Sequence, residues 1–220
     1  MTKHRLSIIG QTVGFLLLIA VALFGAAGRI DIPMFWVYIV VLAGVSAASL
    51  FLIDEDLAQE RVRPGGKPIG IRLQLVFLLC IAHWVVAGLD RRFHWSDSVP
   101  LALRIAAVVV FTAGLSLFVW AMHVNRFFSS VVRIQRERGH HLVTSGPYRR
   151  VRHPGYAGAI PATAASGVAL CSWFATAIGA LGVLLLLWRT IVEDQTLRAE
   201  LPGYDAYAET VRWRLLPGLW

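Results

Sequence analysis

The chain has 220 residues, of which 57% are hydrophobic and only 15% charged. Soluble domains carry about 25% charged residues, so this balance excludes most soluble folds, and so much apolar surface also excludes disorder. The net charge of +8 would suggest a nucleic-acid partner if it lay on a soluble face, but the basic residues stand between long apolar runs and no nucleic-acid partner is expected. Cys80 and Cys171 both lie inside apolar runs, which leaves neither a disulfide framework nor a CxxC metal site.

Taken in chain order, the first uncharged run extends over 21 residues from Ile8 to Gly28. As a helix it would measure about 31 Å, the thickness of a bilayer's hydrocarbon core. A secretory leader is the rival reading, since Lys3 and Arg5 precede the run and Gly25, Ala26 and Ala27 are small. The run is long for a leader and more spans follow, so it is read as a membrane span. Further runs extend from Ile32 to Ile53, from Leu73 to Leu89 and from Leu101 to Met122, the last interrupted only by Arg104 near its start. Between the second and third, Arg63-Pro64-Gly65-Gly66-Lys67-Pro68 is a turn cluster.

The run from Gly155 to Trp188 is uncharged for 34 residues. One helix of that length would measure about 51 Å and overshoot the bilayer, so the chain must turn back. A corner near Cys171 and Ser172 gives a hairpin of two segments of about 17 residues each. Gly158, Ala162, Ala165, Gly179 and Gly182 would let its arms approach closely. The expected fold is therefore an all-α integral membrane protein of about six transmembrane helices, the last two a short helical hairpin. A single integral domain covers 1–220, with four spans in 1–122 and a loop, the hairpin and a tail in 123–220.

Six spans put both termini on one side, and that side carries 17 Lys and Arg against four, Arg29, Arg91, Arg92 and Arg104, on the other. The positive-inside rule then places the termini and the 123–154 loop in the cytoplasm, as for a multi-pass protein of an inner or cytoplasmic membrane. Some of the basic residues could also hold anionic lipid headgroups.

The loop is longer than a connection between helices requires. Val131 to Gln135 and His141 to Thr144 flank Arg136-Glu137-Arg138-Gly139, a pattern fitting a short β-hairpin turned at Gly139. Then Gly146-Pro147-Tyr148-Arg149-Arg150-Val151-Arg152-His153-Pro154-Gly155-Tyr156 packs Tyr, Arg and His between Pro and Gly. By composition this could be a positive-inside anchor with interfacial tyrosines. Past the apolar run, Arg189 and Glu193 stand at i and i+4 and can pair on one helix face. A hairpin that exits where it entered brings Arg152, His153 and Tyr156 near Arg189, Glu193 and Asp194, a mixed cluster at the membrane boundary. His123, His140, His141 and His153 have no metal-ligand spacing, and no phosphate loop, dinucleotide fingerprint or nucleophile elbow is present, so no metal is expected. His83, alone in the third span, reads as a packed polar residue rather than a proton relay.

His140-His141-Leu142-Val143-Thr144-Ser145-Gly146-Pro147-Tyr148, then Arg152-His153-Pro154-x-Tyr156-x-Gly158, resembles the signature of the isoprenylcysteine carboxyl methyltransferase family. Arg189-x-x-x-Glu193-Asp194-x-x-Leu197, Gly203-Tyr204-x-x-Tyr207 and the closing Leu215-Leu216-Pro217 resemble that family's C-terminal block. The resemblance covers 125–217, and membrane phospholipid and thiol methyltransferases share the blocks. It implies an enzyme that uses S-adenosylmethionine in a cytoplasmic pocket and an amphiphilic acceptor, an isoprenylcysteine-like carboxylate or a lipid headgroup, that arrives from the bilayer. It also implies cofactor contacts at His140, Leu142, Val143, Gly146, Tyr148, Arg152, His153, Tyr156, Asp194, Tyr204 and Tyr207, with Arg189 and Glu193 catalytic. Asp194 departs from the family, many members having a second Glu, and the N-terminal half is shorter than in the eukaryotic protein-modifying enzymes. Alternative readings are a small-thiol methyltransferase, an NADPH-dependent sterol-type reductase, whose C-terminal pattern is comparable to Val211 to Pro217, and a non-catalytic membrane scaffold.

Overall fold

The computed structural model describes residues 3–62, 65, 70–96 and 98–220, with the side chains of 3–5, 61–62 and 70–73 left undescribed. Of the expected turn cluster at 63–68, all but Gly65 lies outside the described residues. Helix α1 (Lys3–Ala20) runs on through a π-turn at Val21–Gly25, and α2 (Pro33–Leu52) starts with Pro33 in its first turn, where a missing N–H costs nothing. A short helix, α3 (Glu55–Val62), follows, capped by Asp54, whose Oδ1 accepts from the Leu57 amide at 2.8 Å. Then come α4 (Gly70–Phe93), α5 (Leu101–Val124), α6 (Pro154–Ala169), α7 (Trp173–Glu200) and α8 (Tyr204–Thr210).

Among the described residues there is no strand, and five helices (α1, α2, α4, α5 and α7) are long and apolar enough to cross a membrane. The all-helical membrane architecture expected from the sequence is thus the one observed. The hairpin corner also falls as expected, at Leu170–Ser172, where Cys171 takes a left-handed φ of 62° and Ser172 caps α7 by accepting from the Ala175 amide at 2.9 Å. Its arms are unequal, however. Helix α6 has 16 residues, about 24 Å and short of a bilayer core of about 30 Å, whereas α7 has 28. The apolar run ends at Trp188, but Arg189 to Glu200 continue the same helix, because its Arg, Glu, Gln, Leu and Ala residues favour it and no Gly or Pro interrupts it before Pro202.

The small residues divide between two seams. Gly179 and Gly182 do face across the hairpin, against Thr163. Gly158 and Ala162 instead meet α5: a Cβ on Gly114 would lie 2.4 Å from the Gly158 carbonyl oxygen, and one on Gly158 would lie 2.3 Å from the Gly114 oxygen. The two backbones touch directly, as small residues permit where lipid offers no hydrophobic drive for association. This seam anchors α6, the shorter arm of the hairpin, and with it the start of the helix where the site lies.

Two buried polar knots tie the bundle. His83 is buried and hydrogen-bonded, its Nδ1 2.9 Å from the Ala175 carbonyl and its Nε2 2.8 Å from Ser166 Oγ, which also meets Tyr38 at 2.9 Å. At the hairpin corner, Asp90 accepts from Ser96 Oγ at 2.7 Å and from the Ser172 hydroxyl. Between α5 and α6 the chain has no strand: the β-hairpin expected at 131–144 is absent, and its centre is a 3-10 turn, Arg136–Arg138. Gly139 does turn the chain, at φ 64°. Arg133 reaches out to Glu60 of α3 and the Gln135 side chain to the Phe127 carbonyl, so no ladder forms between the flanking segments, which is why alternation alone misled.

Filling the α5–α6 seam should be costly. Gly114→Val should lower the unfolding midpoint in detergent by about 4–10 °C, as overpacking by about 1–3 kcal/mol would, while Gly10→Val, which has open space around it, should change it little. Differential scanning fluorimetry on both variants checks this.

Candidate active site

Pro154 starts α6, which places Arg152 and His153 just before its first turn, and the C-terminal segment comes back to lie beside them. The Arg152 and His153 amides donate to the Trp213 and Arg214 carbonyls, each at 2.9 Å. From α7, Asp194 projects into the angle between these segments and is 1% exposed. Arg152 Nε donates to its Oδ1 at 2.9 Å, His153 Nε2 is 3.0 Å and the Tyr204 hydroxyl 2.9 Å from the same oxygen, and Arg214 Nε reaches Oδ2 at 3.1 Å. Arg152 NH1 donates onward to the Val211 and Arg212 carbonyls at 2.9 and 2.7 Å. One carboxylate therefore joins the start of α6, the end of α7, α8 and the tail. A charge so enclosed is tolerable only because its oxygens are saturated with donors.

One helical position earlier, Glu193 faces the other way. The Tyr156 hydroxyl donates to Glu193 Oε2 at 2.7 Å and accepts from Arg189 Nε at 2.6 Å. The expected Arg189–Glu193 partnership is thus made through a tyrosine, and His153 Nδ1 lies 4.0 Å from Glu193 Oε1. The second arm of the Arg189 guanidinium donates to the Ser130 carbonyl in the loop.

These groups border a cavity of about 270 Å³ closed by the 125–148 loop on one side and by Leu201, Tyr204 and Tyr207 on the other. Tyr207 is fastened across it, its hydroxyl donating to the Tyr148 carbonyl at 2.7 Å. Of the residues singled out in the sequence, His140, Leu142, Val143, Tyr148, Arg152, His153, Tyr156, Arg189, Glu193, Tyr204 and Tyr207 all line this cavity. Asp194 and Gly146 are not among its lining residues. Asp194 is turned into the ionic hub just described, and Gly146 serves the chain turn, with φ 56° and its backbone against Val124. Arg152 reaches the wall with its guanidinium already committed to Asp194 and the tail carbonyls.

Sequence reasoning missed the loop's first half. Asn125, Phe127, Phe128 and residues 129–133 line the cavity, as do Phe118, Leu186 and Thr196 from α5 and α7. The adjacent Phe127 and Phe128 immediately after an apolar span were the available signal. Phe127 stacks on His140 with ring centroids 4.5 Å apart. The Gln135 amide donates to His140 Nδ1 at 3.2 Å, so the ring's proton belongs on Nε2. Burial, reinforced by the positive charges of His141, Arg133 and Arg138, pushes the His140 imidazole down to about 4. It is neutral at physiological pH.

With fold and site in view, the class is a helical membrane protein whose two signature segments meet at one cavity where the helices end. Residues 105–199 match the model of the isoprenylcysteine carboxyl methyltransferase (ICMT) family, which bears out the resemblance over that stretch. A probable protein-S-isoprenylcysteine O-methyltransferase of Oryza sativa subsp. indica is 41% identical over 93 residues, 40% of this chain and 47% of that protein. Protein-S-isoprenylcysteine O-methyltransferase B of Arabidopsis thaliana is 35% identical over 69 residues, 31% of this chain and 33% of the relative. The chain thus spans about half or less of the curated relatives it matches. A solved structure, that of the eukaryotic intramembrane Ras methyltransferase ICMT, shares the fold with a TM-score of 0.53 at 15% identity, over 94% of this chain and 78% of that one.

Two outcomes follow from the geometry. Asp194→Ala strands Arg152 beside a buried gap and should cost about 3–5 kcal/mol, read as loss of the folded, monodisperse peak in detergent or as a sharply lower unfolding midpoint. In the folded protein His140 takes a proton only near pH 4, whereas an unfolded chain's histidine takes it near 6.5. Between those values the unfolded state binds more protons, so stability falls as pH drops from 7 towards 4. NMR of ¹³C-labelled histidine should show, among the imidazoles still neutral at pH 5, one that is missing from the spectrum of His140→Gln; a His140 titrating near 6.5 would contradict the enclosure.

Proposed function

We propose that this protein transfers a methyl group from S-adenosylmethionine to an amphiphilic acceptor at the cytoplasmic face of its membrane. The observation that carries this reading is the convergence of the Arg152–His153–Tyr156 and Arg189–Glu193 segments on one cavity at the membrane-helix ends, in the stretch that matches the methyltransferase family. The cavity's chemistry suits the cofactor. Aromatic rings of Phe127, Phe128, Tyr156 and Tyr204 suit adenine and a sulfonium, while Arg133, Arg189 and Glu193 offer both signs of charge for an amino-acid moiety. When bound, the cofactor supplies an activated methyl on a sulfonium that departs as a neutral thioether.

The protein's own part is alignment, which in an in-line displacement can be worth about 7 kcal/mol or more. Arg189, held between the Tyr156 hydroxyl and the Ser130 carbonyl, is placed to orient an acceptor carboxylate or phosphate. Glu193 receives the Tyr156 proton in a hydrogen bond and is the group that could take a proton from an acceptor amine. A thiolate or carboxylate needs no such base. Phe118 and Leu186, from α5 and α7, give the cavity an apolar side towards the bilayer. That supports lateral arrival of an acceptor whose tail stays in lipid, since each exposed CH₂ would cost about 0.8 kcal/mol. The isoprenylcysteine carboxylate acted on by the named relatives has this character, and it is the acceptor we favour.

In calorimetry on detergent-purified protein, S-adenosylmethionine and its demethylated product should bind and NADPH should not. NADPH binding without a signal from either would favour a reductase and defeat the proposal. In proteoliposomes, methylation of one acceptor headgroup should rise with alkyl or prenyl chain length after correction for partitioning. Equal turnover of a chainless thiol would point to a small-molecule methyltransferase instead.

A further inference from the structure

Helix α3 was not anticipated from the sequence, and it makes the most direct link between the N-terminal half and the cavity. Leu57 and Ala58 are buried, and Leu57 packs with Val119 and Met122 of α5, which holds α3 against the bundle. Asp56 and Glu60, at i and i+4, share the face turned to the 125–141 loop. Asp56 pairs with Arg126 at 2.9 Å and Arg138 at 2.6 Å, but its side chain is 44% exposed and such pairs contribute little. Glu60 differs in being 6% exposed.

Both ends of one stretch of cavity wall converge on the Glu60 carboxylate. Ser129 Oγ donates to Oε1 at 2.8 Å, and Arg133 NH2 lies 3.1 and 3.0 Å from the two oxygens. Ser129 Oγ in turn accepts from the Val131 amide at 3.2 Å. Residues 129–133 all line the cavity and have no helix or strand of their own to fix them. Between the two anchors, next to Ser129, the Ser130 carbonyl accepts from the Arg189 guanidinium. Arg189 therefore has one support on the rigid bundle, Tyr156, and one on a wall whose position depends on Glu60.

We propose that Glu60 is a positioning residue for the transfer reaction, holding Arg189 in its working orientation through the 129–133 wall. This rests on the methyltransferase reading. Glu60 touches neither cavity contents nor Arg189; it acts by keeping the Ser130 carbonyl where the second arm of the guanidinium needs it. A carboxylate that merely balanced the charge of Arg133 would stabilise the fold without any coupling to Arg189.

The test compares Glu60→Gln, Glu60→Asp and, as a distant control, Asp31→Asn, whose partner Arg29 lies in the exposed α1–α2 turn. Hydrogen exchange of the 130–133 amides, measured without turnover, should accelerate about tenfold in Glu60→Gln and stay unchanged in the control. Its kcat should fall about tenfold with acceptor KM within about twofold, a displaced alignment group affecting turnover more than binding. In an Arg189→Lys background, which lacks the two-armed fork, adding Glu60→Gln should lower kcat by less than about twofold, because the route through Arg189 is already broken. Glu60→Asp keeps the charge but retracts it and should give intermediate exchange and turnover, which preserves the comparison if the Gln variant fails to fold. Unchanged exchange, unchanged kcat, or a full tenfold loss persisting in the Arg189→Lys background would each overturn the proposal. A parent protein that transfers no methyl group overturns the methyltransferase reading, and the exchange measurement then still decides whether Glu60 holds the wall.

Discussion

A single buried carboxylate, Asp194, organises the end of the helices where the cavity lies. Asp194 has almost no contact with solvent, so its charge must be compensated by protein, and it draws donors from the start of α6, from α8 and from the tail. Arg152 and the Nε2 side of His153 are engaged there, while His153 Nδ1 is left on the side of Glu193 and the cavity. Their role is to fix where α6 begins and how the tail lies across it. A hub of this kind is weak evidence for net stability, since desolvation offsets most of the attraction, but removing the carboxylate leaves the buried Arg152 without its charge partner. It therefore specifies one arrangement of four segments.

That arrangement matters because the neighbouring residues on α7 point to the cavity. Asp194 and Glu193 are adjacent, and the helix turns their side chains about 100° apart, so one serves the hub and the other the site. Arg189, one turn earlier, falls on the side of Glu193. The close α5–α6 seam then sets how Tyr156 meets this pair. With Gly114 and Gly158 in backbone contact, the first turn of α6 has little freedom to slide, and the tyrosine hydroxyl lies between Arg189 and Glu193. A structural charge cluster and an aligned polar cluster share one helix without competing for the same side chains.

The loop closing the cavity is held differently. It has two short 3-10 turns and no other regular structure, and it is held within itself by the stacking of Phe127 on His140 and from outside by the carboxylates of α3 and by Tyr207 reaching Tyr148. Such fastenings are individually weaker than helix packing and lie near solvent, which suits a wall that must admit a ligand.

The long apolar runs determined the membrane architecture without help from tertiary structure, because a stretch of about 20 uncharged residues has few other stable destinations. The hairpin corner was legible for the same reason: 34 uncharged residues cannot cross once. The spacing of Arg189 and Glu193 and the punctuated segment around His153 singled out residues that the structure brings to one cavity, since helical periodicity and Pro–Gly boundaries are local properties. Which seam each glycine serves, that Tyr156 stands between Arg189 and Glu193, and that Asp194 is turned inward to Arg152 depended on how helices rotate against one another. The wall at 129–133 and the α3 residues that pin it were invisible for a further reason. Their order comes from a hydrogen bond and ion pairs between residues 69 to 82 positions apart in the chain, and no pattern within a single segment records such a partner.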